Sequence, residues 1–266
     1  DPAVRTDSYA AVQKKVHDAA VWIPLFHEPL FVVAGSKLKP IRAHGNYGCG
    51  LYKGLGIAFI GSRIVLTDSE ADRVFAIDAK GKELWSLGRR QGFERPTGLV
   101  ASKDRLYVVD TLRHKVVVLS AEGAVVDTFG SRGDRLGQFN FPTNIARSAD
   151  GRLFVTDTMN FRVQVFDPTG QPLRAFGRLG DGSGDFEKPK GIALDSAGHI
   201  YVVEGLHDVV QIFDDVGRLL LAFGGSGIGD GQLWLPSGIA IANDVVFVAD
   251  SSNRRVQMFE YLGESR

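Results

Sequence analysis

A short apolar segment that ends in an acidic residue recurs through this chain of 266 residues. Four copies occupy residues 106–110, 153–157, 200–204 and 246–250, and their first residues are separated by 47, 47 and 46 positions. A fifth copy, at 64–68, begins 42 residues before the first of these. Self-similarity at a period of roughly 40–50 residues is typical of propeller blades, so this repeat restricts the possible folds more than composition does.

Each repeat unit divides into four candidate strands in the same order. The inner strand follows a proline, as after Pro96 and Pro189, and the acid-ended segment is the second strand. The third strand leads into an Asp-x-x-Gly turn, as from Asp167 to Gly170, in which aspartate can bond its own backbone and glycine can take positive φ. The fourth strand ends in Phe-Gly.

The second strand is apolar at nearly every position, so neither of its faces is expected to meet water. A two-layer sandwich would need an alternating pattern, and a parallel α/β sheet would need helices between its strands. Blades that pack face to face around an axis cover both faces of every inner strand. We therefore predict an all-β propeller, with Gly-rich links such as 178–184 as crossovers between blades.

These segments resemble NHL repeats, whose pattern runs Pro-x-Gly-Ile-Ala, then Tyr-Val-x-Asp, then Asn-x-Arg-Val-Gln-Val-Phe. Residues 158–166 and 251–259 match the last part closely, and the similarity covers about residues 54–262. The resemblance implies an NHL-type β-propeller that binds partners through one face. It also implies a comparison with NHL-related lyases and lactonases, which use histidines or acids that converge on the central channel.

Five repeats are recognisable, and the last one stops before its outer strand. Residues 39–45 resemble the outer strand at 171–177, so we expect them to complete the last blade and close the ring, which would hide strand edges. Residues 20–45 are alternatively a degenerate sixth blade, which leaves five or six blades open. The predicted domains are an N-terminal helix and extended segment at 1–38 and the propeller at 39–266.

The N-terminal segment differs in character from the repeats. Residues 9–20 carry apolar side chains at the spacing of a short amphipathic helix. Residues 12–28 resemble the extreme C-terminal tail of periplasmic peptide- and nickel-binding proteins of ABC transporters. That resemblance implies a solute-binding domain upstream and a periplasmic or extracellular location. The alternative is a helix that caps one face of the propeller.

Charge and composition narrow the possible partners. Lys plus Arg and Asp plus Glu both number 31, so no net field attracts a polyanion and nucleic acid is not an expected partner. No apolar run is long enough to span a bilayer. Cys49 is the only cysteine, which excludes a disulfide within the chain. We expect a monomer that binds a protein or a small molecule at one propeller face.

The candidate binding residues lie just after the proline of each repeat, where the inner strand begins at the axis. They are small or polar, whereas the strands beyond them are apolar, and they are Thr97, Asn144, Lys190 and Ser237. Solvated loop residues with no ligand are the alternative interpretation of these positions.

The acid at the end of the second strand is followed five residues later by a base in four repeats. The pairs are Asp68 with Arg73, Asp110 with Lys115, Asp157 with Arg162, and Asp250 with Arg255. A repeated offset favours structural, charge-assisted hydrogen bonds within each blade over a cation site at the propeller mouth.

One repeat departs from this rule, because Glu204 replaces the aspartate and Val209 replaces the base. An unpartnered carboxylate close in sequence to His207 suggests a weak divalent-metal or proton-transfer site. Drift in a single blade explains the same substitutions.

The predicted function is a non-enzymatic binding or interaction scaffold outside the cytoplasm, without a cofactor. One alternative is a propeller lyase or lactonase that uses a divalent metal. Another is an accessory module fused to an ABC-transporter solute-binding protein. A fold shared by many functions does not identify the ligand.

Overall fold

The computed structural model describes residues 54–260 of the chain. Within that range it contains nineteen β-strands in five antiparallel sheets and two single-turn 3-10 helices, Arg89–Gln91 and Thr158–Asn160. The strands of each sheet follow one another in chain order. Residues 54–260 therefore form a β-propeller with five described blades, one for each recognisable repeat, and the choice between five and six blades in the whole chain stays open.

The blades are numbered in chain order. Blade 1 consists of β1 (Gly54–Ile60), β2 (Arg63–Asp68), β3 (Arg73–Ile77) and β4 (Glu83–Leu87). Blade 2 consists of β5 (Pro96–Ala101), β6 (Arg105–Asp110), β7 (Lys115–Ser120) and β8 (Val125–Phe129). Blade 3 consists of β9 (Pro142–Arg147), β10 (Leu153–Asp157), β11 (Arg162–Phe166) and β12 (Pro172–Phe176). Blade 4 consists of β13 (Pro189–Leu194), β14 (Ile200–Glu204), β15 (Val209–Phe213) and β16 (Leu219–Gly224). Blade 5 consists of β17 (Gly238–Ala242), β18 (Val245–Asp250) and β19 (Arg255–Glu260).

The second and third strands of each blade carry the core. β10 and β14 are buried at every position, and β6 is buried at every position except its first. Their side chains pack into clusters that span two neighbouring blades, as where Val109 and Val118 of blade 2 meet Leu153 of blade 3. The outer strands β8 and β12 are largely exposed. Burial on both faces explains the continuous apolar runs in the sequence.

The glycine of the Pro-x-Gly pattern lies where the inner strands of two blades approach each other. A Cβ placed on Gly98 would lie 2.7 Å from Asn144 Cα, and one on Gly191 would lie 2.9 Å from the backbone nitrogen of Ile239. Both of these contacts are with backbone atoms, which cannot rotate away. The glycines therefore allow the inner strands to pack tightly around the axis.

The inner strands form an arc: β1 packs against β5, β5 against β9, β9 against β13, and β13 against β17. Among the strands that the structure describes, β17 and β1 are not packed together in this way. Several sequence predictions fall on residues outside the described range. They are the helix at 9–20, the division at residue 38, the closing strand at 39–45 and the possible sixth blade. All of these stay predictions.

Within residues 54–260, no helix has the length and apolarity needed to cross a membrane.

Candidate binding site at the propeller axis

The beginnings of the inner strands surround a pocket of about 580 Å³ at the axis. Residues from all five blades line it, including the four predicted binding residues Thr97, Asn144, Lys190 and Ser237. A volume of this size lies within the range of pockets that hold small molecules and cofactors. The structure thus brings the four residues to one cavity.

An aliphatic side chain from each blade lines this pocket. Four of them follow their proline by three residues, and the fifth belongs to β1; the set is Ile57, Leu99, Ile145, Ile192 and Ile239. They form an apolar wall around the axis. Such a wall suits the apolar part of a ligand, while a few polar groups fix its orientation.

Two of the predicted binding residues are engaged in structural hydrogen bonds. The Thr97 hydroxyl donates to the Thr143 carbonyl of the next blade at 2.7 Å and lies 2.8 Å from the Thr111 hydroxyl. The Ser237 hydroxyl lies 2.6 Å from the Ser251 hydroxyl. Blade 3 contains the same type of pair, between Thr143 and Thr158, at 2.8 Å. These hydroxyls therefore fix neighbouring strands in place.

Blade 4 replaces this hydroxyl pair with Lys190 and Gly205. A Cβ on Gly205 would lie 2.8 Å from Lys190 Cε, so the glycine leaves the space that the lysine side chain occupies. Lys190 is half-buried, and no hydrogen bond or ion pair of its ammonium is present among residues 54–260. Burial lowers the pKa of Lys190, and nearby Lys188 adds to the decrease, while Glu204 and Asp208 oppose it.

Asn144 occupies the position at which blades 2, 4 and 5 have glycine. Its backbone N–H donates to the Thr156 hydroxyl at 2.9 Å, and its backbone carbonyl accepts a bond from the same group. Its side-chain amide lines the pocket, and in the described part of the chain that amide has no hydrogen-bond partner. Asn144 and Lys190 therefore supply the polar groups that are available to a ligand.

The acid-to-base offset forms an ion pair in blades 3 and 5. Arg162 Nε donates to Asp157 at 2.8 Å, and Arg255 Nε donates to Asp250 at 2.7 Å. Two further residues of the repeat motif donate to the same carboxylates: Asn160 and Gln164 to Asp157, and Asn253 and Gln257 to Asp250. The Asn-x-Arg-x-Gln pattern is thus a set of three donors around one buried carboxylate, which makes these acids structural.

The other two predicted pairs are not present. Arg73 donates to the Ser86 hydroxyl at 2.7 Å and pairs with Glu83 of β4, instead of pairing with Asp68. Asp110 and Lys115 do not come within ion-pair distance, and the Asp110 carboxylate accepts the Glu94 backbone N–H at 3.1 Å. Burial raises the pKa of Asp110 to about 7. The five-residue spacing from acid to base is the same in all four blades, so it could not predict that only blades 3 and 5 form the ion pair.

Glu204 is not an unpartnered carboxylate. It accepts the backbone N–H groups of Glu187 at 3.0 Å, Lys188 at 2.7 Å and Leu206 at 3.1 Å. His207 Nε2 lies 3.1 Å from a carboxylate oxygen of Glu187, and no hydrogen bond joins it to Glu204. Over residues 54–260, no group of three His, Cys, Asp or Glu side chains is placed to hold a metal. The structure does not bring Glu204 and His207 together as ligands.

Glu204 accepts a bond that a residue of the preceding blade accepts at the other described junctions. In the turn before the third strand, Asp72, His114 and Asp208 each accept the backbone N–H of the residue just before the next blade's proline, at 2.7, 3.1 and 2.7 Å. Blade 3 has Phe161 at this position, which cannot accept. The longer Glu204 side chain reaches the amide of Lys188 in its place.

Comparison with known proteins supports the propeller fold. Residues 139–214 match the model of a family described as DUF5128: 6-bladed beta-propeller. A catalytically inactive virginiamycin B lyase from Staphylococcus aureus, solved with quinupristin, is 14% identical over 85% of this chain and 75% of its own, with a TM-score of 0.61. A protein of unknown function from Bacteroides thetaiotaomicron is 16% identical over 87% of this chain and 64% of its own, with a TM-score of 0.66. At these identities the likeness shows the fold, and it confirms the predicted propeller.

Proposed function

We propose that this chain is a non-enzymatic, ligand-binding propeller that holds a small molecule in the axial pocket. One observation carries the proposal. Asn144 and Lys190 line a pocket of about 580 Å³ next to an aliphatic wall, and within residues 54–260 their side-chain polar groups have no protein partner. Polar groups in a cavity gain most from a ligand when nothing else satisfies them.

The surroundings of these two residues support a preformed site. The Thr97, Thr143 and Ser237 hydroxyls are held by neighbouring strands, and so they fix the walls of the pocket. A pocket that is rigid before binding loses little conformational freedom when the ligand enters. The geometry therefore suits recognition without a large rearrangement.

Ligand-observed NMR with a fragment library tests the proposal. Asn144→Phe fills part of the pocket, whereas Leu173→Phe places the same ring on the exposed outer strand β12. Fragments that bind the parent protein and the Leu173→Phe variant should lose binding to the Asn144→Phe variant, with equal melting temperatures as the check on folding. Fragments that bind all three proteins equally well would place the binding site elsewhere.

A lyase activity is the second candidate, and the likeness to virginiamycin B lyase favours it. The direct test is incubation with quinupristin, with and without added divalent cations, followed by liquid chromatography. Conversion that depends on protein and on metal would replace the non-enzymatic proposal.

An extracytoplasmic location and a monomeric state are also proposed, the first from the resemblance of residues 12–28 to the tail of periplasmic binding proteins. Cell fractionation with an antibody against the propeller tests the location. Light scattering of the purified protein tests the oligomeric state. Recovery with cytoplasmic markers would contradict the proposed location, and a mass of twice the chain would contradict the monomer.

A further inference from the structure

We infer that the ligand of the axial pocket is a small organic anion with an apolar body, whose charged end is bound by Lys190 and Asn144. This inference rests on the proposed binding function and adds the chemical class of the ligand. Its basis is the charge of the pocket, the replacement of a structural pair in blade 4, and the apolar wall.

The charge of the pocket has one sign in the part that the structure describes. Arg95, Lys188 and Lys190 line it, and its described lining contains no aspartate or glutamate. Arg95 and Lys188 are exposed, whereas Lys190 is half-buried. The nearby Glu204 carboxylate accepts bonds from three backbone N–H groups. It forms no hydrogen bond with the Lys190 ammonium. The basic lining therefore attracts an anion that enters the pocket, while the nearby Glu204 and Asp208 carboxylates reduce that attraction.

The Lys190 position also differs from the rest of the repeat in a coordinated way. Blades 2, 3 and 5 hold a hydroxyl at this position and a second hydroxyl opposite it. Blade 4 changes both members, with lysine at one position and glycine at the other, and the glycine leaves space for the lysine. A lysine at position 190 gives up a structural hydrogen bond and takes a charge out of water, which is unfavourable unless the charge gains a partner. The lowered pKa of Lys190 agrees with this cost.

The apolar wall determines the other end of the ligand. The five aliphatic side chains surround the axis beside Lys190 and Asn144. A fully hydrated ion such as inorganic phosphate would leave this wall without contacts. An aromatic or branched carboxylate would use both parts of the pocket, because its body removes apolar surface from water and its head accepts bonds from Nζ and the amide.

Isothermal calorimetry with three probes of one shape tests the charge preference. The probes are 2-naphthoate, neutral 2-naphthamide and cationic 2-naphthylmethylammonium, which share an apolar body and differ in the charge of the head. The parent protein should bind the anion at least about tenfold more tightly than the amide, because one charge-assisted hydrogen bond contributes about that much. The cation should bind most weakly.

Three variants assign the preference to Lys190. Lys190→Met keeps the length of the side chain and removes its charge, and it should abolish the difference between the anion and the amide. The double variant Lys190→Thr with Gly205→Thr restores the hydroxyl pair of the other blades, so it should remain folded and also lose the difference. Lys103→Met makes the same chemical change on the exposed surface, away from the pocket, and should bind all three probes as the parent does.

The outcomes separate this inference from the proposed function. If the parent binds the naphthyl body equally well with all three heads, the anion inference is wrong and the pocket remains a ligand site. If none of the probes binds the parent, and fragment binding is insensitive to Asn144→Phe, both proposals fail. A charge preference that survives Lys190→Met in a folded protein would also overturn the inference, because the selectivity would then come from other residues.

Discussion

The acid at the end of β6 has fewer donors than its counterparts in blades 3 and 5. Asp157 and Asp250 each accept bonds from an asparagine, an arginine and a glutamine of the same blade. The corresponding glutamine position in blade 2 is Val117, and Lys115 is beyond ion-pair distance of Asp110. With burial uncompensated, the pKa of Asp110 rises to about 7.

This pKa predicts how stability depends on pH. Because the folded-state pKa of Asp110 lies above its ordinary value of 3.8, the folded protein holds a proton between these two pKa values that the unfolded chain releases. The contribution of Asp110 to the free energy of unfolding should therefore be largest below about pH 4 and decline until about pH 7. In Asp110→Asn, urea unfolding across that interval should show a smaller decline than in the parent. If the unfolding free energy declined equally with pH in both proteins, the raised pKa of Asp110 would be contradicted.

A double-mutant cycle tests the link between Phe161 and Glu204. Glu204→Asp should shorten the side chain and leave the Lys188 amide without its acceptor, at a cost of about 1–3 kcal/mol. Phe161→Asp supplies an acceptor of the kind that Asp72 and Asp208 provide in blades 1 and 4. In the Phe161→Asp background, Glu204→Asp should lower the unfolding free energy less than it does in the parent protein, by about 1 kcal/mol or more. Unfolding free energies that simply add would show that the two positions are independent.

At the scale of single strands, contacts between blades limit which side chains fit on the inner strand. Gly98→Ala would place a methyl group within 3 Å of the backbone at Thr143 and Asn144 of the next blade. We expect destabilisation of about 1–3 kcal/mol by chemical denaturation, as for overpacked cores. Gly88→Ala is the matched control, since its Cβ would lie at an ordinary 3.7 Å from the nearest backbone oxygen. Equal effects at the two sites would contradict tight packing at the axis.

The sequence was sufficient to predict the strands and their order, because each is a local pattern that repeats. The predicted second strand at 153–157 is β10 as observed, and that at 106–110 differs from β6 by one residue. The bonds around Glu204 could not be predicted, because two of its three amide donors come from the crossover that leads into blade 4. A signal for the hydroxyl pairs was available: Thr97 with Thr111 and Ser237 with Ser251 recur at one spacing, which the lysine and glycine of blade 4 interrupt.

At the scale of the whole molecule, the described blades form an arc whose ends are not packed together. Blade 5 has three strands in the described range, and its inner strand β17 is only half-buried. Each of the other four described blades has a fourth strand outside its third strand. A strand in that position would cover the edge of β19, and covered strand edges resist association. The predicted closure by residues 39–45 would supply this strand.

Two truncations test that closure. Removal of residues 1–38 keeps the predicted closing strand, whereas removal of residues 1–45 deletes it. The longer truncation should aggregate or lose most of its stability, while the shorter one should stay monomeric by light scattering, with a melting temperature close to the parent value. Damage from both truncations would favour a sixth blade formed by earlier residues. Two truncated proteins as stable as the parent would contradict closure by this segment.

The exchange of an amide acceptor between blades 3 and 4 also bears on how such repeats diverge. Glu204 looks degenerate against a consensus of single blades, yet it supplies the acceptor that Phe161 of the previous blade lacks. We therefore expect these two positions in consecutive repeats, about one period apart, to vary together. Among relatives of this chain, an apolar residue at the Phe161 position should accompany glutamate at the Glu204 position, and an aspartate or histidine should accompany aspartate. The contacts that constrain this repeat lie at the junctions between blades as well as within each blade.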